Sequence, residues 1–200
     1  MLHLIPTAKD NTSPVLLASS VYLRAGEKQD YEQWATLREQ SRQHLTKWEE
    51  DWKPEEISNA AYIRRMRFYE REARRASGLA LFVFLPGSET APERMVGGVT
   101  LTNIRYGASR SGVLGYWIGE PYLRQGYAKM AIKELLAHAI SSMGLNRVEA
   151  ACQPENTGSL ALLQKLGFRR EGCAADYLKI NGEWRDHVLF AVTAREYKAS

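Results

Sequence analysis

The sequence is poor in cysteine and contains no long apolar run. Its two cysteines, Cys152 and Cys173, exclude a disulfide framework and a four-cysteine zinc site, and they suit a reducing cytoplasm. No run approaches the roughly 18 apolar residues that a membrane span requires. The opening stretch MLHLIPTAKDNTSP lacks the basic and apolar regions of a signal peptide. We therefore expect a cytoplasmic protein without a membrane segment.

Two phosphate-binding motifs are also absent. There is no G-x-x-x-x-G-K-[ST], and no G-x-G-x-x-G follows a strand, which argues against an NTPase and a dinucleotide dehydrogenase. Neither sign of charge dominates: 27 Lys and Arg oppose 23 Asp and Glu, a net charge of +4. This balance permits an anionic cofactor or a ribonucleoprotein partner without demanding either. With 44% apolar and 25% charged residues, the 200-residue chain is typical of a folded domain.

Apolar spacing and turn residues predict one α+β domain over residues 19–200, preceded by a loosely ordered leader at 1–18. The first half predicts a strand at 19–25, helices at 30–44 and 54–77, and strands at 78–86, 94–104 and 113–120. The second half predicts a helix at 124–142, a strand at 146–152, a helix at 157–167 and a terminal hairpin that begins at Ala174. The hairpin turn is Asn181-Gly182, a pair that favours positive φ at both positions. The expected sheet is mixed but mostly antiparallel, with helices flanking it.

The stretch EPYLRQGYAKMA places one glycine, Gly126, between a strand and the surest helix of the sequence. The first N–H groups of a helix are unpaired and carry partial positive charge, so they can bind an anion. Gly126 allows a ligand close to the backbone, and Arg124 and Lys129 add positive charge. The expected ligand is a phosphate or diphosphate. The alternative is a plain connecting turn.

Further motifs follow in order: PENTGSLALLQKLGFRREG and then YLKINGEWRDHVLF. Together with LRQGYA they resemble the GNAT acyltransferase superfamily, and most closely its RimJ/RimL branch of ribosomal-protein N-terminal acetyltransferases. The resemblance covers about residues 19–196. It implies a GNAT-like fold, acetyl-CoA as cosubstrate, and direct attack of an amine on the thioester without an acyl-enzyme.

The resemblance also implies roles for individual residues. Backbone groups of three strand residues would pair with pantetheine: Tyr116, Trp117 and Ile118. Backbone amides at the helix start would bind the diphosphate: Arg124, Gln125, Gly126, Tyr127, Ala128 and Lys129. Asn156 would hydrogen-bond the cofactor arm, and Ser159 would donate to the departing thiolate as the catalytic acid. No metal site is predicted.

Two positions depart from the GNAT pattern. Leu123 stands where the turn motif normally has Gln or Arg, so Arg124 or the backbone would make that contact. Leu163 stands where many GNAT enzymes carry a tyrosine as general acid, which leaves Ser159 or a bound water for that role. Glu120 is the candidate catalytic base, and a solvated carboxylate at a strand end is the alternative interpretation.

The acceptor implied by the resemblance is the N-terminal α-amine of a protein, in particular a ribosomal protein that starts with alanine. Two alternatives stay open: a GNAT that acetylates a small amine such as an antibiotic or polyamine, and a non-catalytic acetyl-CoA-binding module in ribosome assembly. The arginine-rich segment YIRRMRFYEREARR is typical of a solvated helix face, or it contacts rRNA or another acidic partner. The sequence leaves a monomer or a dimer open.

For several other residues we favour a structural role. Cys152 lies in an apolar strand pattern, so we expect a buried, inert thiol. Trp34 is expected in the core, whereas Trp48 and Trp52 are either packing residues or part of the acceptor groove. For Asp186 and His187 we expect structural hydrogen bonds within the hairpin.

Overall fold

The computed structural model describes residues 14–198, which form an eight-stranded sheet covered by helices on both faces. The strands are β1 (Leu16–Leu17), β2 (Tyr22–Arg24), β3 (Leu79–Leu85), β4 (Arg94–Arg105), β5 (Ser111–Ile118), β6 (Arg147–Cys152), β7 (Arg169–Ile180) and β8 (Glu183–Thr193). The helices are α1 (Tyr31–Gln40), α2 (Arg42–Leu45), α3 (Asn59–Arg74), α4 (Tyr127–Ala137), α5 (Thr157–Lys165) and α6 (Ala194–Lys198).

The strand order is β1-β2-β3-β4-β5-β6-β8-β7, and among the described strands β5 and β6 form the one parallel pair. The mixed, mostly antiparallel sheet predicted from the sequence is confirmed. The parallel pair is short, because β6 contacts β5 only from Ser111 to Val113. Beyond Val113 the two strands separate, so the rest of β5, residues 114–118, has an edge that β6 does not cover.

Alternation along β3 distributes apolar side chains to both faces of the sheet. Leu81 and Val83 join the larger core cluster, which also holds the buried face of α4: Ala131, Ile132, Leu135 and Leu136. Phe82 and Phe84 point the other way, because successive strand residues face opposite sides. There they pack with Trp34 of α1 and Tyr62 of α3, which confirms the predicted core position of Trp34.

Two predicted helices are interrupted. The helix predicted at 30–44 breaks at Ser41, whose hydroxyl accepts a hydrogen bond from the Glu120 backbone N–H at 2.8 Å. The helix predicted at 54–77 begins with a separate 3₁₀ turn, Pro54–Ile57, and α3 starts only after Ser58. Ser58 has extended backbone angles and accepts from the Ala61 N–H at 3.3 Å, as an N-cap residue does.

The ends of the domain differ from the prediction. Residues 1–13 of the expected leader lie outside the described residues, while Leu16–Leu17 pairs with β2 and belongs to the sheet. The final hairpin is longer than expected, since β7 begins at Arg169 instead of Ala174 and contains two register shifts. Its turn is confirmed: φ is 52° at Asn181 and 83° at Gly182. In the described part of the chain no helix is long and apolar enough to cross a membrane.

Candidate functional site

A cavity of about 630 Å³ opens where β5 and β6 separate. Its walls come from the end of β5, the first turns of α4 and α5, and the region around α2. The lining includes most of the residues predicted from the sequence: Tyr116, Trp117, Ile118, Arg124, Gly126, Tyr127, Ala128, Lys129, Asn156 and Ser159. The structure thus brings together three separate parts of the chain, residues 44–49, 116–129 and 155–162. The binding roles assigned to them stay predictions.

The start of α4 presents unpaired backbone N–H groups to this cavity. Gly126 is the N-cap residue at φ 84°, and within residues 14–198 no side chain caps the helix. Arg124 also has a positive φ, 60°, so the chain turns sharply twice before the helix begins. A Cβ built on Gly126 would meet no atom within 4 Å, which leaves open space beside the backbone. This arrangement can accept an anion.

The N-terminus of α5 is fixed by its own asparagine. The Asn156 Oδ1 atom accepts a hydrogen bond from the Ser159 N–H at 3.1 Å, which caps the helix. The cap sets the position of Ser159 at the cavity wall and leaves the Asn156 amide nitrogen as the group that can donate to a ligand. Asn156 therefore combines a structural role with its predicted one.

A tyrosine hydroxyl lies beside Ser159. The oxygen of Tyr116 is buried and makes no hydrogen bond of regular geometry with any described residue. Burial raises the pKa of Tyr116 to about 12, while the nearby Ser159 hydroxyl acts in the opposite direction. The sequence analysis assigned Tyr116 only a backbone role, because nothing in its local sequence indicates which residue its hydroxyl lies beside.

Two predicted site residues do not reach the cavity. Glu120 is exposed on a 3₁₀ turn and is not among the described cavity-lining residues, so the geometry gives no support to its assignment as catalytic base. The Gln125 side chain is also outside the lining, since its Nε2 donates to the Pro121 carbonyl at 3.1 Å. Gln125 can still contribute its backbone amide, as predicted.

The wall formed by the α2 region contains residues that the sequence analysis did not assign to the site, His44 and Glu49, together with Trp48. For Trp48 and one other tryptophan the sequence left two interpretations open, a place in the acceptor groove and a packing role. The other, Trp52, is buried, and the Arg38 guanidinium lies 4.1 Å from its ring. No sequence signal marked His44 or Glu49 as a site residue, because His44 is the last residue of the helix predicted at 30–44 and Glu49 follows that helix.

Long-range contacts hold this wall in place. The Arg38 Nη2 atom forms an ion pair with Glu49 at 2.6 Å, and burial lowers the pKa of Arg38 while Glu49 opposes that shift. From the hairpin turn, Asn181 accepts from the Asp51 N–H at 2.6 Å and donates to the Thr46 carbonyl at 2.9 Å. The wall is therefore anchored on both sides, and the Glu49 carboxylate, although paired with Arg38, stays partly exposed on it.

The remaining chemical candidates have structural explanations. Cys152 is buried, as expected, and burial raises its pKa to about 11, which supports the prediction of an inert thiol. Asp186 accepts from the Asp176 N–H at 2.9 Å, and the His187 Nδ1 atom lies 3.0 Å from the Arg185 carbonyl, so both make hydrogen bonds within the hairpin as predicted.

The arginines of α3 and its C-terminal end form a solvent-exposed face. All six are exposed: Arg64, Arg65, Arg67, Arg71, Arg74 and Arg75. Arg74 also pairs with Glu70 one turn earlier. Among the described residues no group of three or more His, Cys, Asp or Glu side chains is placed to hold a metal ion.

The sheet is mostly antiparallel, its one described parallel pair separates, and an open helix N-terminus lies beside the gap. This is the architecture of an acyltransferase domain. The chain belongs to the acetyltransferase (GNAT) domain family, whose model matches residues 20–169. It is similar to the structure of RimJ from Mycobacterium smegmatis in complex with CoA-disulfide, with a TM-score of 0.82 and 32% identity. That match covers 92% of this chain and 88% of the RimJ chain.

Curated relatives match over different lengths. The ribosomal protein uS5-alanine N-acetyltransferase of Escherichia coli is 34% identical over 105 residues, which is 52% of this chain and 54% of that enzyme. YdaF of Bacillus subtilis is 28% identical over 180 residues, 89% of this chain and 93% of YdaF. The chain spans about half the length of several curated relatives that it matches.

Proposed function

We propose that this protein is an acetyl-CoA-dependent N-acetyltransferase that acts on the N-terminal α-amine of a protein, specifically a ribosomal protein that starts with alanine. One observation carries the proposal: the uncapped start of α4, the uncovered edge of β5 and the Ser159 hydroxyl all face one cavity. The similarity to the uS5-alanine N-acetyltransferase supports the choice of acceptor.

The residues present fit acetyl-CoA, which supplies an acetyl group activated as a thioester. The N–H groups at Tyr127, Ala128 and Lys129 lack helical partners and would bind the diphosphate. The open edge of residues 114–118 would pair with the amide groups of the pantetheine arm, as an added strand pairs with a sheet. The Asn156 amide nitrogen would donate to the same arm. The open space beside Gly126 lets the diphosphate come close to the N–H groups of α4.

The acceptor amine must be neutral to attack the thioester carbonyl. An α-amine titrates near ~8 and a lysine side chain near ~10.4, so at pH 7.5 roughly a quarter of α-amines but roughly 0.1% of lysines are neutral. An α-amine therefore needs little help from a base. The partly exposed Glu49 carboxylate on the cavity wall would accept a hydrogen bond from the amine, and Ser159 would stabilise the departing thiolate.

Small amines are the second candidate acceptors. The observation that favours them is the partly exposed Glu49 carboxylate on the cavity wall, which would accept a hydrogen bond from any amine. A protein N-terminus differs from a small amine by the peptide chain that follows it, so length dependence separates the two candidates.

The test uses radiolabelled acetyl-CoA and a matched panel of acceptors. The panel contains a peptide with an N-terminal alanine, the same peptide with a blocked N-terminus and an internal lysine, alanine amide, and polyamines. Label on the free α-amine peptide alone supports the proposal. Label on alanine amide and polyamines at equal rates contradicts the choice of a protein acceptor. Absence of label from every acceptor contradicts the catalytic function.

A further inference from the structure

The Tyr116 hydroxyl is an exception to the pairing of buried polar groups. Its oxygen is inaccessible to solvent, yet no described residue forms a regular hydrogen bond with it. Buried hydroxyls in folded proteins almost always have a partner, so an unpaired one needs an explanation. Tyr116 also lines the cavity, which places the group next to the proposed binding site.

The neighbour that can pair with this hydroxyl is Ser159. Tyr116 and Ser159 line the same cavity, and Ser159 acts to lower the pKa of Tyr116, although the two hydroxyls make no hydrogen bond of regular geometry. The backbone of Ser159 is fixed by the Asn156 cap, while its hydroxyl can rotate about the Cα–Cβ and C–O bonds. A small rotation, driven by a ligand that accepts from Ser159, would complete the pair.

We infer that Tyr116 is a positioning residue: its O–H donates to the Ser159 Oγ atom, so that the Ser159 O–H is directed at the sulfur of the departing coenzyme A. The inference rests on the proposed function. As the nitrogen–carbon bond forms and the carbon–sulfur bond breaks, the electron pair goes to sulfur and the amine proton goes to solvent. Both hydroxyls keep their protons, and the released thiolate takes its proton from water.

The acidity of the tyrosine agrees with donation instead of full proton transfer. Burial raises the pKa of Tyr116 to about 12, so the hydroxyl keeps its proton at neutral and mildly alkaline pH. A tyrosine that keeps its proton can donate the same hydrogen bond across the working pH range. When the Tyr116 O–H donates to the Ser159 Oγ atom, the Ser159 O–H is free to donate to sulfur.

The test measures the pKa of the coenzyme A thiol while it is bound to the full chain. The ultraviolet absorbance of the thiolate is followed against pH, and the same titration with desulfo-CoA is subtracted to remove the tyrosine signals. In Tyr116→Phe we expect the pKa of the bound thiol to rise by about one unit and kcat to fall roughly 10-fold, as for other residues that orient a reactive group. The KM for acetyl-CoA should change less than 2-fold. Tyr106→Phe, which removes an exposed hydroxyl outside the cavity, is the matched control and should leave both values unchanged.

A double variant tests whether Tyr116 acts through Ser159. Ser159→Ala should raise the thiol pKa at least as much as Tyr116→Phe, and the combined variant should show no further rise. An unchanged thiol pKa in Tyr116→Phe overturns the inference, and so does an effect that adds in full to that of Ser159→Ala. Calorimetry with CoA distinguishes failure of this inference from failure of the proposed function. If the unmodified chain binds no CoA, the proposed function is overturned as well. If it binds CoA normally, a negative result overturns only the role of Tyr116.

Discussion

The open N-terminus of α4 makes a strong prediction for Gly126→Ala. In the protein alone the change should cost about 1–2 kcal/mol, because an L-residue is strained at the φ of 84° that Gly126 adopts. No clash adds to this cost, since a Cβ there meets nothing within 4 Å. For a chain of this size, the thermal midpoint should fall by roughly 2–4 °C per kcal/mol.

The effect on coenzyme binding should be larger than the strain implies. The new Cβ would stand in the open space through which a diphosphate reaches the N–H groups of α4. Loss of one charge-assisted hydrogen bond removes about 1.5–3 kcal/mol of binding free energy. This corresponds to a roughly 10- to 150-fold weaker affinity for CoA.

Gly107→Ala is the matched control for this measurement. Gly107 has a φ of 77° and the same open surroundings, but it lies between β4 and β5 and does not line the cavity. Both variants should lose similar stability in thermal melting, whereas calorimetric titration with CoA should show weaker binding for Gly126→Ala alone. Equal CoA affinity in the two variants would refute the assignment of the diphosphate to this turn.

Three further outcomes follow from buried and paired groups. Asp30→Asn should lower the free energy of unfolding in urea titrations by about 1.5–3 kcal/mol, because it weakens the charged, bidentate contact of the buried Arg24 at 2.7 and 2.8 Å, while the Glu93 ion pair at 2.5 Å remains. A disulfide reagent at pH 8 should modify the exposed Cys173 and leave Cys152 intact, since burial raises the pKa of Cys152 to about 11. Arg147 and Arg169 lower the pKa of Glu171 to about 2. Its contribution to stability is therefore present above pH ~4.3 and is lost as the pH falls toward 2. Glu171→Gln should flatten that part of the acid-unfolding profile.

A specific result would contradict each of these three predictions. A change below ~1 kcal/mol for Asp30→Asn would show that the ion pair contributes no more than an exposed one. Equal labelling of the two cysteines in the folded protein would contradict the burial of Cys152. An identical acid profile for Glu171→Gln and the unmodified chain would show that its arginine pairs do not persist in solution.

Features encoded within a few residues could be predicted from the sequence. The apolar spacing of α4, the glycine at its start and the Asn181-Gly182 turn each depend on local backbone preferences, and the structure confirms all three. The break at Ser41 could not be predicted, since its hydroxyl pairs with a backbone group 79 residues away. Pro54 fits the first turn of a long helix and a short 3₁₀ turn equally well, so the start of α3 was also ambiguous.

The sequence by itself determined two features of this protein: an open helix start at Gly126, and an apolar pattern that can bury a mixed sheet. Tertiary structure alone decided which side chains share the cavity. It left Glu120 outside the cavity lining, placed Glu49 on a wall that Asn181 holds through the Asp51 N–H 130 residues away, and set Tyr116 beside Ser159. The physical reason is that backbone preferences act over a few residues, whereas the separation of β5 from β6 depends on how the whole sheet and its helices pack.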